Sequence, residues 1–118
     1  MQKIVIQGEQ LLSGTVTISG AKNSAVALIP AAILCDEEST IYSVPNISDR
    51  DALIKIIEKL NGQVIIHEDS LSINSQNIKN VFIPEELSSK LRASYYFMGA
   101  LLGKNKYVEI VLPGGCKI

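Results

Sequence analysis

Residues 48–74 read SDRDALIKIIEKLNGQVIIHEDSLSIN and carry the clearest structural signal in the chain. Ser48 and the early carboxylates are typical of a helix start, because acidic side chains suit the positive end of the helix dipole. Apolar residues then recur at helical spacing on one face: Leu53, Ile56, Ile57 and Leu60. Asn61-Gly62 supplies left-handed residues that end a helix. We therefore predict a helix with Ser48 as its N-cap and one buried face.

A β-hairpin is predicted directly after this helix. Gln63–His67 and Leu71–Asn74 are strand-like segments that flank the turn Glu68-Asp69-Ser70. Val81–Ile83 offers one more strand before Pro84. The helix and the hairpin that follows it together predict a domain that contains both helices and a sheet.

A third helix is predicted from Pro84-Glu85-Glu86, since proline and acids favour a helix N-terminus. Its buried stripe is expected to consist of the apolar residues Leu87, Leu91, Tyr95, Met98 and Leu102. Tyr107–Leu112 is predicted to form a final strand.

Upstream of residue 48, the sequence predicts three strands and a buried helix. Lys3–Gln7 and Thr15–Ser19 alternate apolar with polar side chains, which is typical of half-buried strands. Ser24–Cys35 is almost wholly apolar and predicts a buried helix, kinked at Pro30. Thr40–Val44 is rich in β-branched residues and predicts a strand.

The predicted order, β-β-α-β-α-β-β-β-α-β, favours an α/β or α+β domain with helices packed on sheets. A strand-helix-strand-strand pattern recurs about every 35–45 residues and indicates a repeated unit. No linker divides residues 1–118, so we expect a single domain.

Composition excludes several classes of function. The 11 Lys and Arg against 12 Asp and Glu give a net charge of -1, which leaves no positive excess for a nucleic-acid backbone. No apolar run reaches the roughly 18 residues of a membrane span and no targeting signal precedes the first strand, so we expect a cytoplasmic protein. Two cysteines and one histidine do not fit a metal site by spacing. Charged residues make up 19% of the chain, below the usual share of about 25%, and this apolar surplus indicates a surface that further protein covers.

Lys22 and Asn23 form the first candidate site, in a turn at the start of the apolar helix. Helix N-termini attract anions, and the Lys22 ammonium would add a full charge there. The alternative is a solvated lysine beside an ordinary N-cap formed by Asn23 or Ser24. No phosphate-binding glycine motif surrounds it.

Cys116 is the second candidate, in the segment Pro113-Gly114-Gly115-Cys116-Lys117. Two consecutive glycines predict a mobile segment, and a neighbouring lysine biases an exposed thiol toward thiolate. Cys35 lies among apolar residues and is expected to be a buried small hydrophobe. An incidental loop thiol remains the alternative for Cys116.

Arg92 and Tyr96 are the third candidate, four residues apart on one face of the third helix. A guanidinium and a phenol could together hold a phosphate and stack on a sugar or base. Spacing alone favours a solvated helix flank over such a site. His67 is expected on the surface, and neither Glu37-Glu38 nor Glu85-Glu86 suggests an acid/base pair.

Three segments of the chain are distinctive when they are taken together. They are Ser19-Gly20-Ala21-Lys22-Asn23-Ser24-Ala25, Leu91-Arg92-Ala93-Ser94 and Leu112-Pro113-Gly114-Gly115-Cys116-Lys117-Ile118. In this order they resemble the enolpyruvyl transferase family, and within it the UDP-N-acetylglucosamine 1-carboxyvinyltransferases of peptidoglycan synthesis. The Pro-Gly-Gly-Cys loop favours these over the 3-phosphoshikimate enzymes, which lack it.

The resemblance implies part of an inverted α/β barrel, built from repeated sheet-and-helix units in two lobes with substrates between them. It implies transfer of the enolpyruvyl group of phosphoenolpyruvate to the 3′-hydroxyl of UDP-N-acetylglucosamine, with no metal or organic cofactor. Lys22 would then hold the phosphoenolpyruvate anion and take part in catalysis, while Asn23, Arg92 and Tyr96 would contact the substrates. Cys116 would be the general acid, form a phospholactoyl adduct and react with fosfomycin.

Such a resemblance also predicts that 118 residues amount to only a portion of the family's fold. We expect residues 1–21 to pack with the second lobe and the isolated chain to be inactive without the remainder of the enzyme. Two other hypotheses remain: a non-catalytic fragment or scaffold that self-associates through uncovered apolar surface, and an unrelated small thiol protein with an anion-binding helix end.

Overall fold

The computed structural model describes residues 2–79, 81–83, 85–88 and 94–110. Within these ranges the chain combines α-helices with a small β-sheet, as the sequence predicts. The helices are α1 (Lys22–Ala31), α2 (Ser48–Lys59), α3 (Glu85–Ser88) and α4 (Ser94–Asn105), with a 3-10 turn at Ala32–Leu34. The strands are β1 (Ser39–Tyr42), β2 (Gln63–Ile66) and β3 (Ser70–Asn74).

The strands form an antiparallel sheet in the order β1-β3-β2. β3 is the central strand, and its Ile73 lies opposite Ser39 of β1 and Val64 of β2. β2 and β3 are the two arms of the predicted hairpin, which the structure confirms. The strand predicted over Thr40–Val44 is also confirmed, as β1. Because side chains alternate across a sheet, Leu71 and Ile73 share one face, and both are buried.

The core lies between this sheet and three of the helices. α1 packs against α2 and α4, and α4 also packs against the 3-10 turn. The predicted inner face of α2 is confirmed, since all four of its apolar residues are buried. The largest fully buried side chains are Phe97, Ile29, Ile33, Leu53, Ile56, Ile57, Leu60, Leu71, Ile73, Ile83 and Leu101, with Pro30.

Both ends of α2 are set by backbone hydrogen bonds. At its end, Asn61 is left-handed (φ 69°), the Gly62 N–H donates to the Ile57 carbonyl (2.9 Å) and the Asn61 N–H donates to that of Glu58 (3.0 Å). This is the stop that the sequence predicts. At its start, Ile47 occupies the N-cap position with no side-chain cap, so the predicted Ser48 N-cap is wrong. Ser48 is instead the first helical residue.

The strands predicted over Lys3–Gln7 and Thr15–Ser19 are wrong. Residues 2–21 form no regular element, and residues 2–19 are exposed throughout. A strand needs a hydrogen-bonded partner as well as an apolar face, and alternation in the sequence supplies only the face. Side chains such as Ile4 and Ile18 therefore remain on the surface.

The apolar helix begins earlier and ends earlier than predicted. It spans Lys22–Ala31, and the 3-10 turn begins two residues after the buried Pro30, which lacks a backbone N–H. The prediction that Cys35 is buried is wrong, because Cys35 is exposed. Ile33 takes the core position, and the backbone leaves the turn in an extended conformation at Cys35 (φ -71°, ψ 145°).

The third predicted helix appears as α3 and α4, with residues 89–93 outside the described part of the chain. Leu87 packs partly buried against the core, as predicted, and Leu91 is not among the described residues. The rest of the predicted stripe is wrong, since Tyr95, Met98 and Leu102 are exposed while Phe97, Ala100 and Leu101 are buried. α4 is apolar on several faces, so periodicity alone does not select the inner one.

The two strands predicted after the hairpin are reduced to one contact in the described residues. Ile83 forms a single parallel bridge with Ile110. The end of the predicted strand Tyr107–Leu112, at residues 111 and 112, lies outside the described part. This bridge links the segments on either side of α4.

Lys104 fastens the end of α4 to the 3-10 turn and to the end of β3. Its Nζ donates to the Cys35 carbonyl (2.9 Å), to Asp36 Oδ1 (3.2 Å) and to Ser75 Oγ (3.2 Å). The Lys104 side chain is only 12% exposed. A buried alkyl stem with a fully bonded ammonium holds α4 in its place against the core.

Candidate functional site

Lys22 is the first residue of α1, so its ammonium stands beside the amino end of that helix. The N-cap residue is Ala21, which has no side chain able to accept a hydrogen bond from the first turn. The first N–H groups of an α-helix have no acceptor within the helix and present partial positive charge. Asn23 follows on the exposed surface. The structure thus places the predicted lysine and amide together at an uncapped helix end.

The Lys22 ammonium forms an ion pair with Asp49. Lys22 Nζ lies 2.6 Å from Asp49 Oδ2, and the two side chains are 58% and 25% exposed. Asp49 belongs to the first turn of α2, so the pair joins the amino ends of two packed helices. This contact makes Lys22 more than a freely solvated lysine, which was the alternative left by the sequence.

The approach to α1 is fixed by Gly20. A Cβ added to Gly20 would overlap the Ser43 carbonyl oxygen, so only glycine fits without a backbone shift. Ser43 is itself left-handed (φ 55°), and its N–H donates to the Asp69 carbonyl (2.7 Å). The start of α1 is therefore anchored to the end of β1 and to the hairpin turn.

Two shallow clefts flank this anchor. One cleft, of about 220 Å³, lies between α1 and the end of β1, and its lining includes Ala21, Ser24 and Tyr42. The other, of about 340 Å³, lies between residues 17–20 and 43–45 and also contacts Asp69. Both clefts reach Gly20, but neither is lined by Lys22 or Asn23.

The other predicted site residues are only partly described. Tyr96 lies on α4 and is exposed. α4 packs against α1, so the helix that carries Tyr96 is a direct neighbour of the helix that carries Lys22. Arg92 and Cys116 lie outside the described residues. The roles that the resemblance implies for Arg92 and Cys116 therefore stay predictions.

The sequence did not single out Asp49 or Gly20. The sequence indicates Asp49 only as a carboxylate that suits the helix dipole of α2, and its ion pair with Lys22, 27 positions earlier in the chain, depends on how α1 and α2 pack. The available signal was a carboxylate in the first turn directly after a strand-to-helix loop. Gly20 was read as part of a loop, and its close approach to Ser43 is a long-range contact that local pattern does not encode.

Within the described residues, no group of three or more His, Cys, Asp or Glu side chains could hold a metal ion. No helix of that part of the chain is long and apolar enough to cross a membrane. The Tyr107 hydroxyl donates to Glu109 Oε2 (3.1 Å), and this hydrogen bond, the carboxylate charge and desolvation all raise the pKa of Tyr107.

Comparison with known proteins places these features in a family. The family model described as EPSP synthase (3-phosphoshikimate 1-carboxyvinyltransferase) matches residues 6–118. The chain is 48% identical over 118 residues to UDP-N-acetylglucosamine 1-carboxyvinyltransferase 3 of Caldanaerobacter subterraneus subsp. tengcongensis. It is 50% identical over 116 residues to UDP-N-acetylglucosamine 1-carboxyvinyltransferase 2 of Oceanobacillus iheyensis. These matches cover 100% and 98% of this chain, but only 28% and 27% of those relatives.

A solved structure agrees on the fold. The crystal structure of the enolpyruvyl transferase NikO from Streptomyces tendae superposes with a TM-score of 0.69 at 24% identity, covering 77% of this chain and 21% of NikO. The mixed helix-and-sheet arrangement described above is thus part of an enolpyruvyl transferase fold. Because the family model matches residues 6–118 of this chain, the chain belongs to the EPSP synthase family of enolpyruvyl transferases.

Proposed function

We propose that this chain forms part of an enzyme that transfers the enolpyruvyl group of phosphoenolpyruvate to the 3′-hydroxyl of UDP-N-acetylglucosamine, a step of peptidoglycan synthesis in the cytoplasm. The observation that carries the proposal is the exposed lysine at an uncapped helix end, in a chain about half identical along its length to proteins named for this reaction. A cation beside a helix N-terminus suits a substrate with several negative charges.

Lys22 is proposed to bind the phosphoenolpyruvate anion, with Asn23 and Arg92 completing polar contacts and Tyr96 contacting the substrates. The support for Lys22 and Asn23 is their shared position at the amino end of α1. For Tyr96 it is exposure on a helix that packs against α1. The roles of Arg92 and Cys116 rest on the sequence resemblance.

In the proposed chemistry, the 3′-oxygen forms a bond to C2 of phosphoenolpyruvate while the Cys116 thiol gives its proton to C3. The hydroxyl proton passes to a carboxylate outside this chain. Loss of phosphate then breaks the bond between C2 and the phosphate ester oxygen. C3 returns a proton to the Cys116 thiolate, which restores the double bond. The net result is one enolpyruvyl ether and one phosphate, with the thiol regenerated.

The proposal assigns only part of the site to this chain, since the chain spans about 28% of the length of the relatives it matches. Residues 1–21 are proposed to pack with the second lobe of the fold. The apolar side chains in residues 2–19 are exposed, which supports this role. A second lobe packed on this segment would cover the apolar face that the alternation of apolar and polar residues creates. We expect no turnover from the 118-residue chain alone, because preorganised charges from both lobes are needed.

A chimera tests the function. The segment of the Caldanaerobacter relative that matches this chain is replaced by the 118 residues, and the product is followed by phosphate release and mass spectrometry. We expect the enolpyruvyl ether only when both substrates are present. Lys22→Ala should lower kcat/KM by at least about tenfold, as loss of one charged contact to the transition state does. Lys55→Ala, which removes an exposed lysine of α2, is the matched control.

A folded chimera that binds both substrates without forming the ether would refute the proposed reaction. Thiol labelling of the 118-residue chain gives an independent result if the chimera does not fold. Cys35 is an exposed reference thiol on the same chain. Faster reaction of Cys116 than Cys35 with fosfomycin in the presence of UDP-N-acetylglucosamine supports the proposal, and equal rates without an effect of the nucleotide sugar contradict it.

A second candidate function is a non-catalytic scaffold that self-associates. The observation in its favour is the number of large apolar side chains on the surface, among them Leu11, Leu12 and Val16. Light scattering across a concentration series separates the candidates. A stable oligomer that shows no thiol selectivity would favour the scaffold over the enzyme.

A further inference from the structure

We infer that Asp49 competes with the anionic substrate for the Lys22 ammonium, and so sets the affinity of the phosphate-binding end of α1. This inference rests on the proposed role of Lys22 in holding phosphoenolpyruvate. The starting observation is the 2.6 Å separation between Lys22 Nζ and Asp49 Oδ2. At this distance the carboxylate occupies one direction from which an anion could reach the ammonium.

The ion pair is one that the protein can give up easily. Lys22 is 58% exposed and Asp49 is 25% exposed, so water screens the attraction between the two charges. Partly exposed pairs of this kind contribute little to stability. A phosphate group carries more negative charge than a carboxylate and can also accept hydrogen bonds from the uncapped first turn of α1.

Asp49 has a favourable environment after it releases Lys22. It lies in the first turn of α2, where the helix dipole stabilises a carboxylate. Its neighbour Arg50 is engaged elsewhere: the guanidinium donates to Asp51 Oδ1 (2.8 and 2.9 Å) and to Asn46 Oδ1 (2.7 Å). Loss of the Lys22 contact therefore leaves Asp49 stabilised by its own helix, and Arg50 stays with its present partners.

The two carboxylates of this turn provide a matched comparison. Asp49→Asn and Asp51→Asn each remove one negative charge from the first turn of α2, but only Asp49 contacts Lys22. The parent chain and both variants are titrated with inorganic phosphate, and binding is read from the backbone amide signals of Lys22 and Asn23 by NMR. We expect Asp49→Asn to bind phosphate about two- to fivefold more tightly than the parent, as release of a weak surface pair allows.

Several results decide the inference. Tighter binding by Asp49→Asn with Asp51→Asn unchanged supports it, and in a Lys22→Gln background the two variants should then become equivalent. Equal or weaker binding by Asp49→Asn overturns it, since Asp49 would then not compete for Lys22. Equal tightening by Asp49→Asn and Asp51→Asn also overturns it, because Asp49 would then act only through net charge. Asp49→Ser provides a second variant if thermal unfolding shows that Asp49→Asn is not folded.

Failure of the inference can be told apart from failure of the proposed function. If phosphate shifts the Lys22 and Asn23 signals equally in all variants, Asp49 does not compete, while the chimera assay still reports on enolpyruvyl transfer. If phosphate shifts these signals in none of the proteins, competition at Lys22 is overturned as well. Product formation by the chimera would then show that the reaction itself proceeds with another anion contact.

Discussion

Leu101 and Leu102 are neighbouring leucines of α4 that the structure assigns to different faces of the helix. Leu101 is fully buried in the core, whereas Leu102 is 51% exposed. The sequence pattern had assigned Leu102 to the buried stripe. Replacing each leucine by alanine in separate variants removes the same atoms from the same helix, so the comparison isolates burial.

The expected difference follows from the burial of the two side chains. Truncation to alanine removes three carbon atoms, and at about 0.8 kcal/mol per buried carbon group the transfer loss at Leu101 is about 2.4 kcal/mol. The cavity raises the loss in free energy of unfolding to about 3–4 kcal/mol. At Leu102 about half of the transfer loss applies, and the better helix propensity of alanine offsets part of it. We expect a destabilisation of about 1 kcal/mol or less there.

Urea unfolding followed by far-ultraviolet circular dichroism measures both values, with the slope of the transition checked for constancy. Tyr95→Ala provides a further control, because Tyr95 is also on the exposed side of α4. Equal losses at Leu101 and Leu102, or a larger loss at Leu102, would refute the orientation of α4 and restore the face predicted from periodicity.

Three further predictions follow from individual contacts. Gly20→Ala should lower the free energy of unfolding by about 1–3 kcal/mol, because the new Cβ would collide with a backbone carbonyl. Gly8→Ala should have no such effect, because no atom lies within 4 Å of the added Cβ. Thermal melts that show equal losses for the two variants would contradict this. Replacing Glu109 by Gln should lower the pKa of Tyr107 in a tyrosinate absorbance titration. Because folding raises the pKa of Tyr107, the parent should lose more stability than the variant as the pH rises through the folded-state pKa. An unchanged titration midpoint would count against the hydrogen bond. Lys104→Met should lower the free energy of unfolding, measured in urea, by about 1–3 kcal/mol, because it leaves three oxygen acceptors without their charged donor. An unchanged free energy of unfolding would show that these hydrogen bonds contribute nothing to stability.

The sequence predicts α2 and the hairpin well because their signals are local. The inner face of α2 repeats at helical spacing between polar residues, and Asn61-Gly62 ends the helix through contacts within six residues. α4 lacks this contrast, since Phe97 and Leu101 compete with Met98 and Leu102 for the core. Which apolar face is buried depends on the packing of α1 and the 3-10 turn against α4, and no local pattern records that.

The candidate site shows the same division. Lys22 and Asn23 could be identified from their position before an apolar run, and the structure places them at the start of α1. Their partner Asp49 could not, because the ion pair requires the first turns of two helices to meet. The strand predicted over residues 15–19 failed for a related reason: pairing needs a second strand, which a single segment does not specify.

The left-handed stop after α2 also bears on how the chain folds. It joins α2 directly to the hairpin, so residues 48–74 make their contacts with little loop closure, and such local contacts form quickly. β1 pairs with β3 across a longer separation, with Thr40 opposite Ser72, 32 positions away. We therefore expect residues 48–74 to form the folding nucleus, onto which β1 and then α1 with Lys22 assemble.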